Sequence, residues 1–133
     1  MRVKEPYAHV NSLEHSFANA INDSRFIPYI QLHEFEALIF CGIDYLVKIY
    51  PKCKQSCGQL ATVLQKSRNP ELIDNGPTTA PSKRIINAIE GSKKYKYNKP
   101  TTGKSVTKEI GIDELRAKCP HFNEWIDKLI NYE

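Results

Sequence analysis

No stretch of this chain approaches the roughly 18 consecutive apolar residues needed to span a bilayer, so no contact with a membrane interior is predicted. An apolar signal segment is missing from the amino terminus, which predicts a cytoplasmic protein. Acidic residues nearly vanish between Lys83 and Lys108, where eight Lys or Arg face only Glu90, a formal charge of +7. The rest of the chain has eleven basic and fourteen acidic residues, a charge of −3. Such a one-sided distribution suits either a polyanion partner such as nucleic acid or a solvated lysine-rich loop. Internal repeats and low-complexity tracts are also absent, so solenoid and fibrous architectures are excluded.

What is present is enough for one ordinary domain. The chain has 133 residues, 41% hydrophobic and 26% charged, in the globular range. Apolar residues at Val10, Leu13, Phe17, Ala20 and Ile21 predict a helix over 8–22 with one buried stripe. Residues 1–7, with Pro6, read as an entry segment. The aromatic and β-branched run from Phe26 to Leu32 is the one clear strand, and Pro28 favours an edge position or a strand start. Helices are predicted over 34–40 and 43–50, the latter stopped by Pro51. Ser56 is placed to cap a helix carrying Leu60, Val63 and Leu64. Residues 71–80 form a loop with an Asn75-Gly76-Pro77 turn, and Thr79 is placed to cap a helix opening at Ala80-Pro81. Residues 92–103 read as an exposed loop, 105–110 and 113–118 as short helices. Pro120 opens a last amphipathic helix bearing Phe122, Trp125, Ile126, Leu129 and Ile130. The fold class is therefore mostly helical α/β, with one strand over about 26–32 and about six helices in a single domain spanning 1–133.

Chemistry concentrates at the strand-to-helix junction His33-Glu34-Phe35-Glu36. Two carboxylates and an imidazole there suit a hard cation or proton transfer. The zinc-protease pattern requires a second His four residues on, and position 37 is alanine. Carboxylates at a helix start also favour the macrodipole without any catalytic role. In Thr78-Thr79-Ala80-Pro81-Ser82-Lys83-Arg84, hydroxyls and basic side chains at a helix start make a natural phosphate site; capping alone also explains the threonine and proline. Gly103-Lys104-Ser105 is not a nucleotide loop, because Asn98 stands where that loop needs glycine. The spacing of Cys53, Cys57, Cys119 and His121 is loosely compatible with zinc; reduced structural thiols are the simpler expectation.

Three blocks in order carry a family resemblance: Arg25 to Leu38, Thr79 to Arg84, and Leu115 to Trp125. They resemble the successive signatures of a bacterial family catalogued as domain of unknown function 4276, whose members look like Toprim-type proteins. The resemblance implies the carboxyl-terminal half of a Toprim-like domain, in which acids at strand ends hold Mg²⁺ or Mn²⁺ for phosphodiester chemistry. It places Glu34 and Glu36 at the metal, with His33 beside them as a catalytic candidate. Thr79, Ser82, Lys83, Arg84 and Arg116 become nucleic-acid or phosphate contacts. The implied function is part of a metal-dependent nuclease acting on nucleic acid, with an ATPase partner in phage defence. The isolated chain is expected to be inactive. A non-catalytic helical module binding protein or nucleic acid is the alternative. An exposed sheet edge or apolar face would favour homo-oligomers.

Overall fold

The architecture is set by proline-started helices that surround one short, wholly apolar segment. A computed structural model describes residues 5–74 and 76–132. The predicted entry residues 1–4 and Asn75 of the predicted turn lie outside them. In chain order the helices are α1 (Glu5–Ile21), α2 (Glu36–Ile39), α3 (Ile43–Ile49), α4 (Lys54–Lys66), α5 (Pro81–Glu90), α6 (Lys99–Ile110), α7 (Ile112–Lys118) and α8 (Pro120–Ile130). Single 3₁₀ turns cover Phe40–Gly42, Pro51–Cys53 and Pro70–Leu72. Pro51, Pro70, Pro81, Pro100 and Pro120 each stand in a first turn, where a missing N–H costs nothing. No helix among the described residues is long and apolar enough to cross a membrane.

Ala37, Leu38, Ile39, Phe40, Cys41 and Leu46 are all buried, as expected of a segment apolar on every side. This run packs against α5 and α6, with Ile85, Ile89 and Val106 fully enclosed. Gly42 ends the 3₁₀ turn in close contact with the last turn of α6. A Cβ there would stand 2.4 Å from Ile110 Cγ1 and 2.8 Å from Tyr45 Cδ2.

Several expectations change. The strand predicted over 26–32 does not form, and no strand occurs among the described residues, so the fold is α-rich rather than α/β. The backbone finds other partners: Ile30 N–H donates to Glu14 Oε1 at 2.8 Å, Phe26 N–H to Asp23 O at 3.0 Å, and Pro28 has no donor. The aromatic pattern that suggested a strand instead packs an irregular segment on α8. Tyr29 stacks on Trp125 with centroids 4.6 Å apart and on His121 at 5.5 Å. The helix predicted over 34–40 starts at Glu36 and tightens to 3₁₀ at Phe40. The lysine-rich loop is shorter than expected because Asn98 caps α6 by accepting the Thr101 N–H at 3.0 Å. Ser56 and Thr79 are not caps. Ser56 donates to the Ala88 carbonyl at 2.6 Å, and the N-cap of α5 is Ala80. The α1 stripe is only partly covered: Val10 is buried, whereas Leu13, Phe17 and Ile21 are exposed, as are Leu129 and Ile130 on α8.

The start of α8 is tied to two distant parts of the chain. Glu71, fully buried, accepts the His121 N–H on Oε1 at 2.9 Å and the Phe122 N–H on Oε2 at 3.0 Å. The Tyr7 hydroxyl also donates to Oε1, at 3.1 Å. His121 Nε2 lies 2.7 Å from Glu14 Oε1, joining α8 to α1. Burial raises the Glu71 carboxyl above its usual range, and the His121 and Phe122 N–H bonds pull it back.

Two substitutions probe these constraints. Gly42→Ala should cost about 1–3 kcal/mol by overpacking against Ile110. Glu71→Gln should cost about 2–3 kcal/mol, because an amide turns a donor toward one of the two N–H groups that the carboxylate accepts. Urea melts measure both, and an unchanged midpoint for either variant contradicts the packing described.

Candidate site at the starts of helices α2, α5 and α6

The two stretches singled out for chemistry meet. Glu34 lies just before α2, and Ser82 lies in the first turn of α5. Glu34 Oε1 accepts the Ser82 hydroxyl at 3.0 Å and the Ser82 N–H at 3.4 Å. Pro81 removes one donor from that turn, and Ser82 presents the next N–H outward. Residues forty-eight positions apart thus share one carboxylate.

Glu36 is the unusual group. It opens α2 with no solvent exposure, and neither carboxylate oxygen receives a backbone N–H. Lys99, at the start of α6, brings its Nζ within 3.0 Å of Oε1. That contact is a charge-assisted pair, so Oε1 is matched from the rim while Oε2 is buried without a partner. The Lys99 side chain is 62% exposed, so it pairs from the rim. The Glu36 carboxylate holds the Lys99 ammonium above its usual range, and Glu34 adds to the effect. Tyr97 lies in the same environment. Its hydroxyl is buried without a partner, and burial, then Glu36, Tyr50 and Glu34 all push its ionisation upward. Leaving a buried charge and a buried hydroxyl unmatched is costly, and such cost concentrates at functional sites.

His33 sits at the edge of this cluster in the left-handed region, at φ +62°, a conformation uncommon outside glycine. Burial lowers its pKa, opposed by Asp74 and Glu34. Thr79 donates to Asp74 Oδ2 at 2.8 Å, and Arg84 Nε donates to the Thr79 carbonyl at 2.7 Å. Both therefore shape the loop before α5. Lys83 is exposed at the start of α5. Arg116 is not brought to this site: its guanidinium pairs with Asn123 and Asp127, fastening α7 to α8. Lys99 and Tyr97 escaped the sequence reading because they stand in a stretch whose lysines suggested loop. The signal that marks them is Asn98-Lys99-Pro100, a cap followed by a first-turn proline.

A divalent cation of the Mg²⁺ class commonly takes one or two protein carboxylates, with waters and substrate phosphate filling the remaining positions. The unpartnered Oε2 of Glu36 and the second oxygen of Glu34 are the donor atoms that could make such a corner. Among the described residues no group of three or more His, Cys, Asp or Glu is placed to hold a metal, so these residues do not form an all-protein cage. The combination of Cys53, Cys57, Cys119 and His121 is likewise not assembled. Cys119 meets Cys41, and His121 meets Glu14.

A family model described as "Domain of unknown function (DUF4276)" matches residues 2–130. Compared with the curated proteins and with the solved structures, the chain finds no match.

The site makes an unusual stability expectation. Glu36→Gln removes a buried charge that only one exposed lysine offsets, so it should raise stability by about 1–3 kcal/mol. Thermal and urea unfolding at neutral pH measure this; a clear loss of stability would show that Lys99 alone satisfies Glu36.

Proposed function

The chain belongs to the DUF4276 family, whose description assigns no activity, and we propose from the site itself that it supplies the acidic corner of a Mg²⁺- or Mn²⁺-dependent centre acting on nucleic acid. The observation that carries this reading is the buried carboxylate of Glu36, whose Oε2 has no partner, in a neighbourhood where Glu34 also acts on Lys99 and Tyr97. Bound there, a divalent cation would stabilise charge on a phosphoryl oxygen and lower the pKa of a coordinated water. Glu34 and Glu36 would hold it. Ser82 orients Glu34, and Lys99 neutralises Glu36 from the rim. Lys83, exposed in the first turn of α5, would meet phosphate there, whereas Arg84 lines the α4–α5 groove with Gln59 and Asn87. Lys104 and Lys108 extend the positive surface along α6, where they flank a shallow depression with Pro100. From the resemblance to the family we further propose an ATPase partner in phage defence.

Two carboxylates do not alone position a cation for in-line attack, so the chain by itself is expected to bind metal weakly and to leave plasmid uncut. Mn²⁺ binding followed by electron paramagnetic resonance, with and without a short oligonucleotide, tests the reading. Binding should tighten with the oligonucleotide, and Glu34→Gln or Glu36→Gln should weaken it at least about tenfold, a change of about 1.4 kcal/mol. Oligonucleotide affinity should fall steeply with added salt, because lysines displace counterions. Metal binding indifferent to both substitutions overturns the metal reading. Oligonucleotide binding that persists without it favours the non-catalytic module.

A further inference from the structure

A second reactive cluster lies apart from the acidic site. Cys41, in the 3₁₀ turn after α2, brings its Sγ within 3.5 Å of Cys119 Sγ, the residue that caps α8. The two thiols are 78 residues apart in sequence and both are free. Their exposure differs in a useful way. Cys119 is fully enclosed, whereas Cys41 retains 6% exposure and lines a surface groove with Lys48, Glu114 and Lys118. Lys118 Nζ donates to the Cys41 carbonyl at 3.1 Å, so its ammonium stands beside the Cys41 thiol. The Cys119 thiol as donor, and then Lys118, favour the Cys41 thiolate, while burial and Glu114 oppose it. Cys119 is shifted the other way and keeps its proton. The remaining thiols have different neighbours: Cys53 meets the Ile89 carbonyl, and burial pushes the Cys57 thiol up to about 11.

We propose that Cys41 and Cys119 form an oxidant-responsive pair, in which hydrogen peroxide entering the groove oxidises Cys41 and Cys119 resolves it as an intramolecular disulfide. The Cys41 thiolate attacks one peroxide oxygen, the O–O bond breaks, and the leaving hydroxide takes up a proton as water. Cys41 is then a sulfenic acid. The Cys119 sulfur attacks the Cys41 sulfur, the S–O bond breaks, and the departing hydroxide leaves as water with the Cys119 proton. Two thiols lose two electrons and one peroxide becomes two waters. The bond ties the α2–α3 junction to the cap of α8 across a long loop, which constrains the unfolded chain.

The test treats the full chain with a modest excess of hydrogen peroxide, then blocks, digests and analyses it without reductant. The expected product joins the Cys41 and Cys119 peptides, and the thiol count of the denatured protein falls from four to two. In Cys119→Ser, Cys41 should stop at a sulfenic acid trapped by dimedone; in Cys41→Ser, Cys119 should stay reduced. The oxidised protein should unfold at a higher urea midpoint, and dithiothreitol should reverse the shift. A Cys53–Cys57 product, unreactive thiols, over-oxidation without a crosslink, or a crosslink that lowers the midpoint overturns the proposal.

Discussion

Everything at the α8 end of this protein depends on one buried carboxylate accepting the first-turn N–H groups of a helix that starts about fifty residues later. A helix start leaves its first N–H groups without partners, and an anion there also meets the favourable end of the macrodipole. Glu71 meets both needs at α8. Its own burial is offset because each oxygen receives a backbone donor and Oε1 receives the Tyr7 hydroxyl as well. The same cap fixes His121 against Glu14 and presents one face of α8 to Tyr29. Segments from the beginning, middle and end of the chain are thereby joined through polar contacts rather than through a sheet.

Glu36 shows the opposite use of a buried carboxylate. It lies as deep as Glu71, yet its one partner is a lysine reaching in from the rim, and Oε2 has none. A fold selected for stability alone would replace it with an apolar side chain, since an unmatched buried charge is expensive. Around it the helix starts of α2, α5 and α6 converge, bringing Glu34, Ser82, Tyr97 and Lys99 into one neighbourhood. The contrast between a satisfied and an unsatisfied carboxylate separates the structural acid from the one offered as functional.

The sequence makes the helix starts at Pro81 and Pro120 legible because proline in a first turn is punctuation that tertiary contacts seldom override. It also marks 33–36 and 79–84 as chemical stretches, and the Glu34–Ser82 bond joins them. Other elements are hidden for physical reasons. Phe26 to Leu32 has the composition of a strand, but β-propensity measures fit to a half-buried surface, and α8 supplies that surface here. The polar outer face of α6 obscures its period, so its first two turns read as loop. Glu71 stands in a stretch without periodicity, and nothing local announces that its partners are His121 and Phe122. Arg116, expected at phosphate, instead joins Asn123 and Asp127 in an α7–α8 clamp, which only the three-dimensional neighbours reveal.

Paramagnetic broadening by Mn²⁺ in a backbone-resolved NMR spectrum reads the difference between these two carboxylates directly. The amides of Glu34, Glu36, Ser82 and Lys99 should broaden first as Mn²⁺ is added, while those of His121 and Phe122, held by Glu71, stay sharp. Broadening centred on the α8 cap or on the exposed Asp23, with the Glu34–Glu36 amides unaffected, would contradict a metal corner at Glu34 and Glu36.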